Sequence, residues 1–213
     1  MGRVTQAHID SRTETILDAA TTMFVRKGFE AATMQEIAHE ADLSAGAIYR
    51  YFPSKEALLR AVCAGASGEI SQQFASASEA AATPLEAILE IGRQEWTDMA
   101  KPENREDTML YLETALAAIR RPEELAAARR DVVGTLIKEI ESLVRQAQES
   151  DELTREIDAH SLAATLLATH VGTSVMRLQM EELDPTEVFD AICYIMRSLK
   201  PQHAGAGAAQ TGG

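Results

Sequence analysis

Apolar residues in this chain recur at three- and four-residue spacings, which is the pattern that places them on one face of an α-helix. Glycine and proline, which interrupt helices, fall mainly between these stretches. No segment shows the strict alternation of a strand, and no internal repeat is found. The pattern predicts an all-α chain with helices over 11–28, 34–41, 45–52, 55–74, 84–100, 105–119, 122–148, 158–180 and 185–199.

Residues that can cap a helix stand at the start of several of these segments. An N-cap side chain accepts a backbone N–H of the first turn, and a glutamate three residues later completes a capping box. These criteria select Asp10 or Ser11 with Glu14, Thr33 with Glu36, Ser44, Ser54 and Thr83. Gly28 follows a basic turn and predicts the end of the first helix. Pro53 predicts the end of the third.

The composition excludes several classes of protein. No apolar run approaches the ~20 residues of a membrane-spanning helix, and the first residues lack the apolar stretch of a secretory signal. Cys63 and Cys193 fit no metal or redox spacing, so we expect reduced thiols in a cytoplasmic protein. The sequence has no GxSxG, phosphate-loop, dinucleotide-binding or HExxH motif. We therefore expect no enzyme activity, no cofactor and no metal.

The net charge of −13 argues against a nucleic-acid partner for the chain as a whole. The charge is unevenly distributed, however. Residues 1–60 hold seven Lys and Arg against eight Asp and Glu, so −12 of the total belongs to the remainder. A polyanion could therefore approach only the first sixty residues.

The segment DLSAGAIYRYFPSKEALL, residues 42–59, gathers aromatic and basic side chains within one short helix. Together with the two helices before it, this helix predicts a helix-turn-helix. Ile48 and Phe52 are four residues apart and predict internal anchors, which leaves Tyr49, Arg50 and Tyr51 facing outward. Exposed tyrosine and arginine can bind phosphate, and arginine can also read guanine. The alternative is that all these bulky residues form a seam between packed helices.

Lys55 lies in the first turn of the next helix, where unpaired N–H groups and the helix dipole favour an anion. A cation at this position predicts a phosphate clamp. The third helix begins with the small residues Ser44, Ala45 and Gly46, which would let it approach base edges or phosphates closely.

The stretch ILDAATTMFVRKGFEAATMQEIAHEADLSAGAIYRYFPSKEALL, residues 16–59, resembles the DNA-binding domain of the tetracycline-repressor (TetR) family. The resemblance covers the apolar-A-A helix, the G-F-x-x-x-T turn, the I-A helix and the Y-x-Y-F-x-S-K-E-x-L run. It implies an N-terminal three-helix helix-turn-helix DNA-binding domain followed by a C-terminal helical ligand-binding and dimerisation domain. The expected division is an N-terminal arm and DNA-binding domain (1–53), a connecting helix (54–76), an effector-binding and dimerisation domain (77–200) and a disordered tail (201–213).

The resemblance also implies roles for individual residues. Tyr49 and Lys55 match phosphate-binding positions of the family. The positions at or near the DNA are Thr33, Gln35, Ser44, Ala45, Gly46 and Tyr51. Because Ala45 and Ala47 carry no polar group, base reading by the third helix rests on Arg50, Tyr51, the Gly46 backbone and Gln35. DNA shape is expected to contribute to specificity.

The family's dimer implies that the last two helices pair with a second copy of the chain. The apolar residues expected at this interface are Ala164, Leu167, Ala168, Val171, Val175, Val188, Ile192 and Ile195. A two-fold dimer would place two reading helices about 34–36 Å apart on a palindromic operator. The alternative for these residues is an ordinary monomeric core.

Members of the family are typically released from DNA by a small molecule, here expected to be apolar or aromatic. The candidate ligand contacts are Trp96, Met99, Met109, Tyr111, Glu113 and His170. For Glu113 and His170 the alternatives are a solvated carboxylate and a buried core histidine. Gly65 and Gly68 predict a bend in the connecting helix, or else close helix packing.

The sequence therefore favours a ligand-responsive repressor that binds double-stranded DNA as a homodimer, with no membrane contact. A DNA-binding activator or an architectural protein without an effector remains the alternative.

Overall fold

The structure is a computed structural model that describes residues 6–201. Within that range every regular element is helical, and no strand occurs. The helices are α1 (Gln6–Lys27), α2 (Met34–Glu40), α3 (Ala45–Ile48), α4 (Lys55–Ala80), α5 (Pro84–Ala100), α6 (Arg105–Arg120), α7 (Pro122–Glu149), α8 (Ala159–Arg177) and α9 (Pro185–Ser198), with a short 3₁₀ turn at Pro102–Asn104. The all-α prediction is confirmed. The predicted arm up to residue 5 and the tail from residue 202 lie outside the described residues.

Most predicted helix ends agree with the structure to within a few residues, but three differ. Helix α1 begins at Gln6, so the cap predicted at Asp10 or Ser11 is wrong. No Gly or Pro lies between Gln6 and Ser11 to interrupt the helix. Helix α3 ends at Ile48 instead of residue 52. Helix α4 runs on to Ala80.

The predicted bend of α4 at Gly65 and Gly68 has no counterpart in its hydrogen bonding, since the helix is assigned without a break through both residues. Close packing does not explain these glycines either. A Cβ atom built at either position would meet no described atom within 4 Å.

The chain divides into two compact units. The N-terminal unit contains the residues up to Gln72 and the segment Lys101–Leu136, and the C-terminal unit contains Gln73–Ala100 and the residues from Ile137 onward. Helix α6 and the first half of α7 thus pack with the N-terminal helices. The division predicted from the sequence, at residues 53 and 76, stays a prediction.

The N-terminal unit has one core, to which α1, α2, α3, α4, α6 and α7 contribute. Its most completely buried large side chains include Phe24 and Phe29, whose rings lie 5.3 Å apart, and Ile37 of α2. Gly28 ends α1 in the left-handed conformation with φ of +79°, as its sequence position predicts. Its N–H donates to the Phe24 carbonyl at 2.8 Å.

The core of the C-terminal unit centres on aromatic rings from α5, α8 and α9. The Trp96 ring stacks on Phe189 at 5.9 Å and meets the edge of His170 at 5.5 Å. A Cβ atom at Gly92 would lie 2.5 Å from the Phe189 ring, so this glycine is what lets α9 approach α5. Both cysteines of the chain are free and buried, as expected.

Polar side chains close the ends of helices in the C-terminal unit. Arg177 of α8 donates to the carbonyls of Met99 and Ala100, the last residues of α5. Gln148 donates to the carbonyls of Thr154 and Ile157 in the loop before α8. Among the described residues, no helix has the length and apolar character needed to cross a lipid bilayer.

Candidate nucleic-acid interface

Helix α2 starts at a complete capping box. The Thr33 hydroxyl accepts the Glu36 N–H at 3.3 Å, while the Glu36 carboxylate accepts the Thr33 N–H at 3.1 Å. Glu36 also pairs with Lys27 of α1. These contacts lower the pKa of Glu36, with the Lys27 hydrogen bond as the largest cause. The predicted cap is confirmed, and it leaves Thr33 and Gln35 exposed at the start of the helix.

The turn between α2 and α3 is a Schellman motif built without glycine. Asp42 has φ of +52°, and its N–H donates to His39. The Leu43 N–H reaches back to the Ala38 carbonyl at 2.8 Å. Short polar residues such as aspartate tolerate the left-handed region better than most. The turn fixes the direction in which α3 leaves α2.

Helix α3 is one turn long and is capped by Ser44, whose hydroxyl accepts the Ala47 N–H at 3.2 Å. Beyond Ile48 the backbone tightens, and the Arg50 and Tyr51 N–H groups bond three residues back. The Phe52 N–H still bonds the Ile48 carbonyl at 2.9 Å, and Pro53 then prevents any continuation, because proline disfavours the helical conformation of the residue before it. The helix-turn-helix is therefore more compact than its sequence pattern predicts.

The side chains after Ser44 point as predicted, with one adjustment. Ile48 is fully buried and Phe52 is 9% exposed, so both anchor the segment to the core. Tyr49 is 51% exposed and Arg50 is exposed as well. Tyr51 is half-buried and packs against the same core, so only part of it is available to a ligand. The seam interpretation therefore applies to Ile48 and Phe52 but not to Tyr49 and Arg50.

The small residues predicted at the interface are accessible too. Ser44 and Gly46 are exposed, Ala45 is half-buried, and a Cβ atom at Gly46 would meet no described atom within 4 Å. The backbone at this end of α3 can therefore be approached from outside. These exposures fit the predicted contacts, and the contacts themselves stay predictions.

Lys55 makes contacts inside the protein that its position in the sequence does not indicate, and its expected contact with phosphate stays a prediction. Its ammonium donates to the carbonyls of Phe29, Glu30 and Ala32 and lies 4.6 Å from the centre of the Phe29 ring. An ammonium has three N–H donors, and these three carbonyls occupy them. Burial lowers the pKa of Lys55. Lys55 thus holds the loop between α1 and α2, and contact with a phosphate would require it to give up a carbonyl.

Two further side chains, Arg121 and Glu113, hold the same loop. Arg121, just after α6, forms a bidentate salt bridge with Glu30 and also donates a hydrogen bond to Glu56 at 3.0 Å. Glu113 of α6 accepts the Phe29 N–H at 3.2 Å. These partners lie 84 and 91 residues apart in sequence, so no local pattern could indicate them.

Glu113 was expected at a ligand, and the structure places it against the end of α1. A Cβ atom at Gly28 would come within 2.9 Å of its carboxylate, so the two residues fit closely. Of the other expected ligand contacts on α6, Met109 is 36% exposed and the Tyr111 ring lies under the guanidinium of Arg129. These three residues belong to the N-terminal unit.

The remaining expected ligand contacts belong to the C-terminal unit. Trp96 is only 4% exposed, and Met99 is half-buried against the same core. His170 lies against the Trp96 ring, and burial lowers its pKa while the charge of Glu95 opposes the shift. Packing among core rings is the alternative foreseen for His170, and contact with a ligand stays a prediction.

The residues expected at a dimer interface are half-buried or exposed on α8 and α9. Helix α9 turns Phe189, Cys193 and Met196 inward, while Tyr194 and Ile195 are 76% and 55% exposed. Val188 and Ile192 sit between these two faces and also touch the core. Tyr194 was not among the expected interface residues, although its position next to Ile195 would have indicated it.

A sequence profile described as "Bacterial regulatory proteins, tetR family" matches residues 16–62. This range runs from α1 through α3 into α4 and contains every residue of the candidate interface. The structure therefore places the family's motif on the exposed helix-turn-helix.

Curated relatives match the same part of the chain. A transcriptional regulator of *Bacillus subtilis*, YfiR, is 45% identical over 60 residues, which are 28% of this chain and 29% of YfiR. The *Mycobacterium tuberculosis* repressor KstR is 35% identical over 77 residues, 36% of this chain and 35% of KstR. The chain thus aligns with about a third of the length of these relatives.

Comparison of whole structures extends the likeness of fold beyond the matched segment. The *Bacillus subtilis* regulator FadR in complex with stearoyl-CoA aligns with a TM-score of 0.75, covering 87% of this chain and 97% of FadR. At 17% identity the likeness concerns the fold alone. The helices after α4 therefore follow an arrangement known from a solved regulator.

Proposed function

We propose that this chain, of which residues 16–62 match the profile of the TetR family, is a transcriptional regulator that binds double-stranded DNA as a homodimer. The observation that carries this proposal is the outer surface of α3 and the turn after it. Tyr49 and Arg50 are exposed there while Ile48 and Phe52 fix the segment from inside. Phosphate contacts would position the protein, and Arg50 would read a base edge.

The proposed dimer joins α8 and α9 of two copies. The exposed apolar residues Met176, Tyr194 and Ile195 support this surface, because large apolar side chains seldom stay uncovered together. A two-fold axis there would set two reading helices about 34–36 Å apart, one turn of DNA. The operator is then a palindrome.

The proposed mode of regulation is repression relieved by a small molecule that is apolar or aromatic over much of its surface. KstR is described as a repressor, and the FadR structure contains stearoyl-CoA. Those facts concern the two relatives, and they support an effector of comparable character for this chain. The ligand need only favour, by about 1–3 kcal/mol, a form that binds DNA poorly.

The test is selection of duplexes by the purified protein from sheared genomic DNA at about 150 mM salt, because low salt inflates non-specific binding. We expect a palindrome with half-sites one helical turn apart. The double variant Tyr49→Ala/Arg50→Ala should lose this binding. Arg130→Ala, which removes an exposed arginine of α7, should retain it.

Three results would contradict parts of the proposal. Recovery of no preferred sequence would favour an architectural protein that reads DNA shape alone. Normal binding by Tyr49→Ala/Arg50→Ala would remove α3 as the reading element. A palindrome that is bound without response to any small molecule would favour the alternative of an activator or an architectural protein without an effector.

A further inference from the structure

Arg129 of α7 is half-buried, and one nitrogen of its guanidinium has no polar partner among the described residues. Its Nη2 atom is inaccessible to solvent and makes no hydrogen bond to any described residue. A buried polar atom of this kind is rare in folded proteins and calls for an explanation. A buried cation is also costly unless an anion pairs with it.

Arg121, eight positions earlier, shows what the same side chain does when the chain supplies a partner. It binds Glu30 through two nitrogens and Glu56 through the third. Both arginines belong to the N-terminal unit, so the difference is one of partners. The fold provides carboxylates at Arg121 and none, among the described residues, at Arg129.

Tyr111 contacts Arg129 through the face of the guanidinium and accepts no hydrogen bond from its N–H groups. The guanidinium carbon lies 4.1 Å from the centre of the Tyr111 ring, a cation–π contact made through the face of the group. The N–H donors project in the plane of the guanidinium, where they match the two oxygens of a carboxylate or phosphate. Tyr111 thus supports the group without satisfying its donors.

Buried apolar residues flank Arg129 on α7. Leu125 and Val132, one turn to either side on α7, are 1% and 8% exposed, and Cys63 of α4 is 7% exposed. Burial raises the pKa of the Cys63 thiol while the charge of Arg129 opposes the rise, which places the two side chains within electrostatic reach. A partner for Arg129 would therefore combine one anionic group with an apolar body.

We propose that Arg129 binds the anionic group of the effector, a carboxylate or phosphate carried on an apolar body, with Tyr111 as the platform beneath the guanidinium. This inference rests on the proposed ligand response and adds the chemical class of the ligand. It assigns Arg129 a role in binding and none in holding the ligand-free protein together.

The first measurement is the thermal stability of Arg129→Met without ligand. We expect a melting temperature above that of the wild type, because methionine replaces an unpaired buried charge with an apolar side chain of similar length. Arg130→Met, at the exposed neighbouring position, should change it little. A structural role for Arg129 predicts the opposite result, a lower melting temperature for Arg129→Met.

The second measurement uses three eight-carbon probes that differ only in the head group: octanoate, octyl phosphate and 1-octanol. We expect octanoate or octyl phosphate to raise the melting temperature of the wild type. The apparent affinity should fall about tenfold or more in Arg129→Met. Octanol should act alike on both proteins. The better of the two anions tells a carboxylate ligand from a phosphate ligand.

Arg129→Lys serves as a second variant, since lysine keeps the positive charge but cannot bind a carboxylate or phosphate in a bidentate manner. It should bind the preferred anion more weakly than the wild type. The proposal is overturned if the anions act equally on wild type and Arg129→Met, if they act on neither, or if Arg129→Met melts lower. Operator binding by Arg129→Met, measured alongside, keeps the two proposals separate: retained binding with a failed anion test would leave the DNA-binding function standing.

Discussion

The N-terminal helix-turn-helix and the core of the C-terminal unit satisfy their polar and apolar groups over different distances along the chain. In the first, caps at Thr33 and Ser44 act within three residues, and the turn at Asp42 is closed by bonds over five residues or fewer. In the second, Trp96, His170 and Phe189 come from three helices separated by long segments. Local chemistry thus sets the shape of the helix-turn-helix, and packing between distant segments sets the core of the other unit.

The largest expected effect tests that distant packing. Gly92→Ala should lower the free energy of unfolding by about 3 kcal/mol, because its Cβ would overlap the Phe189 ring and displace the stack on Trp96. Gly68→Ala, a matched change in α4 with open space around it, should instead raise stability by about 0.5–1 kcal/mol. Urea unfolding of both variants checks the pair. Equal effects at the two glycines would contradict the role given to Gly92.

A smaller effect is expected where the helix-turn-helix relies on a distant contact of its own. Lys55→Met should destabilise the protein by about 2 kcal/mol, because three loop carbonyls lose their donor. Lys138→Met, which removes an exposed lysine of α7, is the control and should have little effect. The same urea titration measures both. A fully stable Lys55→Met that no longer binds DNA would restore the phosphate role first expected of this lysine.

The smallest expected effect is a pH dependence that arises in the C-terminal core. Burial lowers the pKa of His170 in the folded protein below 6.5, so the unfolded chain binds more protons between the two values. The free energy of unfolding should therefore fall as the pH drops through 6.5 toward the folded pKa. Unfolding at pH 7.5 and 5.5 should show a shallower loss in His170→Gln than in the wild type. His39→Gln, at an exposed site on α2, should keep the full loss.

The sequence predicted the features that depend on local contacts better than those that depend on distant ones. Thr33, Ser44, Gly28 and the anchors Ile48 and Phe52 were predictable, because each depends on neighbours within a few positions. The early end of α3 was not, since apolar residues keep helical spacing up to Phe52 while the Arg50 and Tyr51 N–H groups bond only three residues back.

The internal contacts of two candidate residues depend on residues far along the chain, and their expected contacts with DNA or ligand stay predictions. The position of Lys55 beside the N-terminus of α4 suggested an anion, and nothing nearby indicated the Phe29 carbonyl as its partner. Glu113 is a charged residue on an otherwise apolar helix, which suggested a ligand. Its carboxylate accepts the N–H of Phe29, which lies 84 residues away in the sequence. Sequence patterns identify which residues are unusual, while the fold decides what those residues touch.

The fit between Gly28 and Glu113 has a consequence for how chains of this kind diverge. Position 28 disfavours any residue other than glycine for two reasons. Its backbone is left-handed, and a Cβ atom there would lie too close to the Glu113 carboxylate. Position 113 is tied to it, because a shorter residue leaves the Phe29 N–H without its acceptor. A glycine at position 28 and a carboxylate at position 113 should therefore be retained together in homologous chains, because both are needed where α6 meets the end of α1.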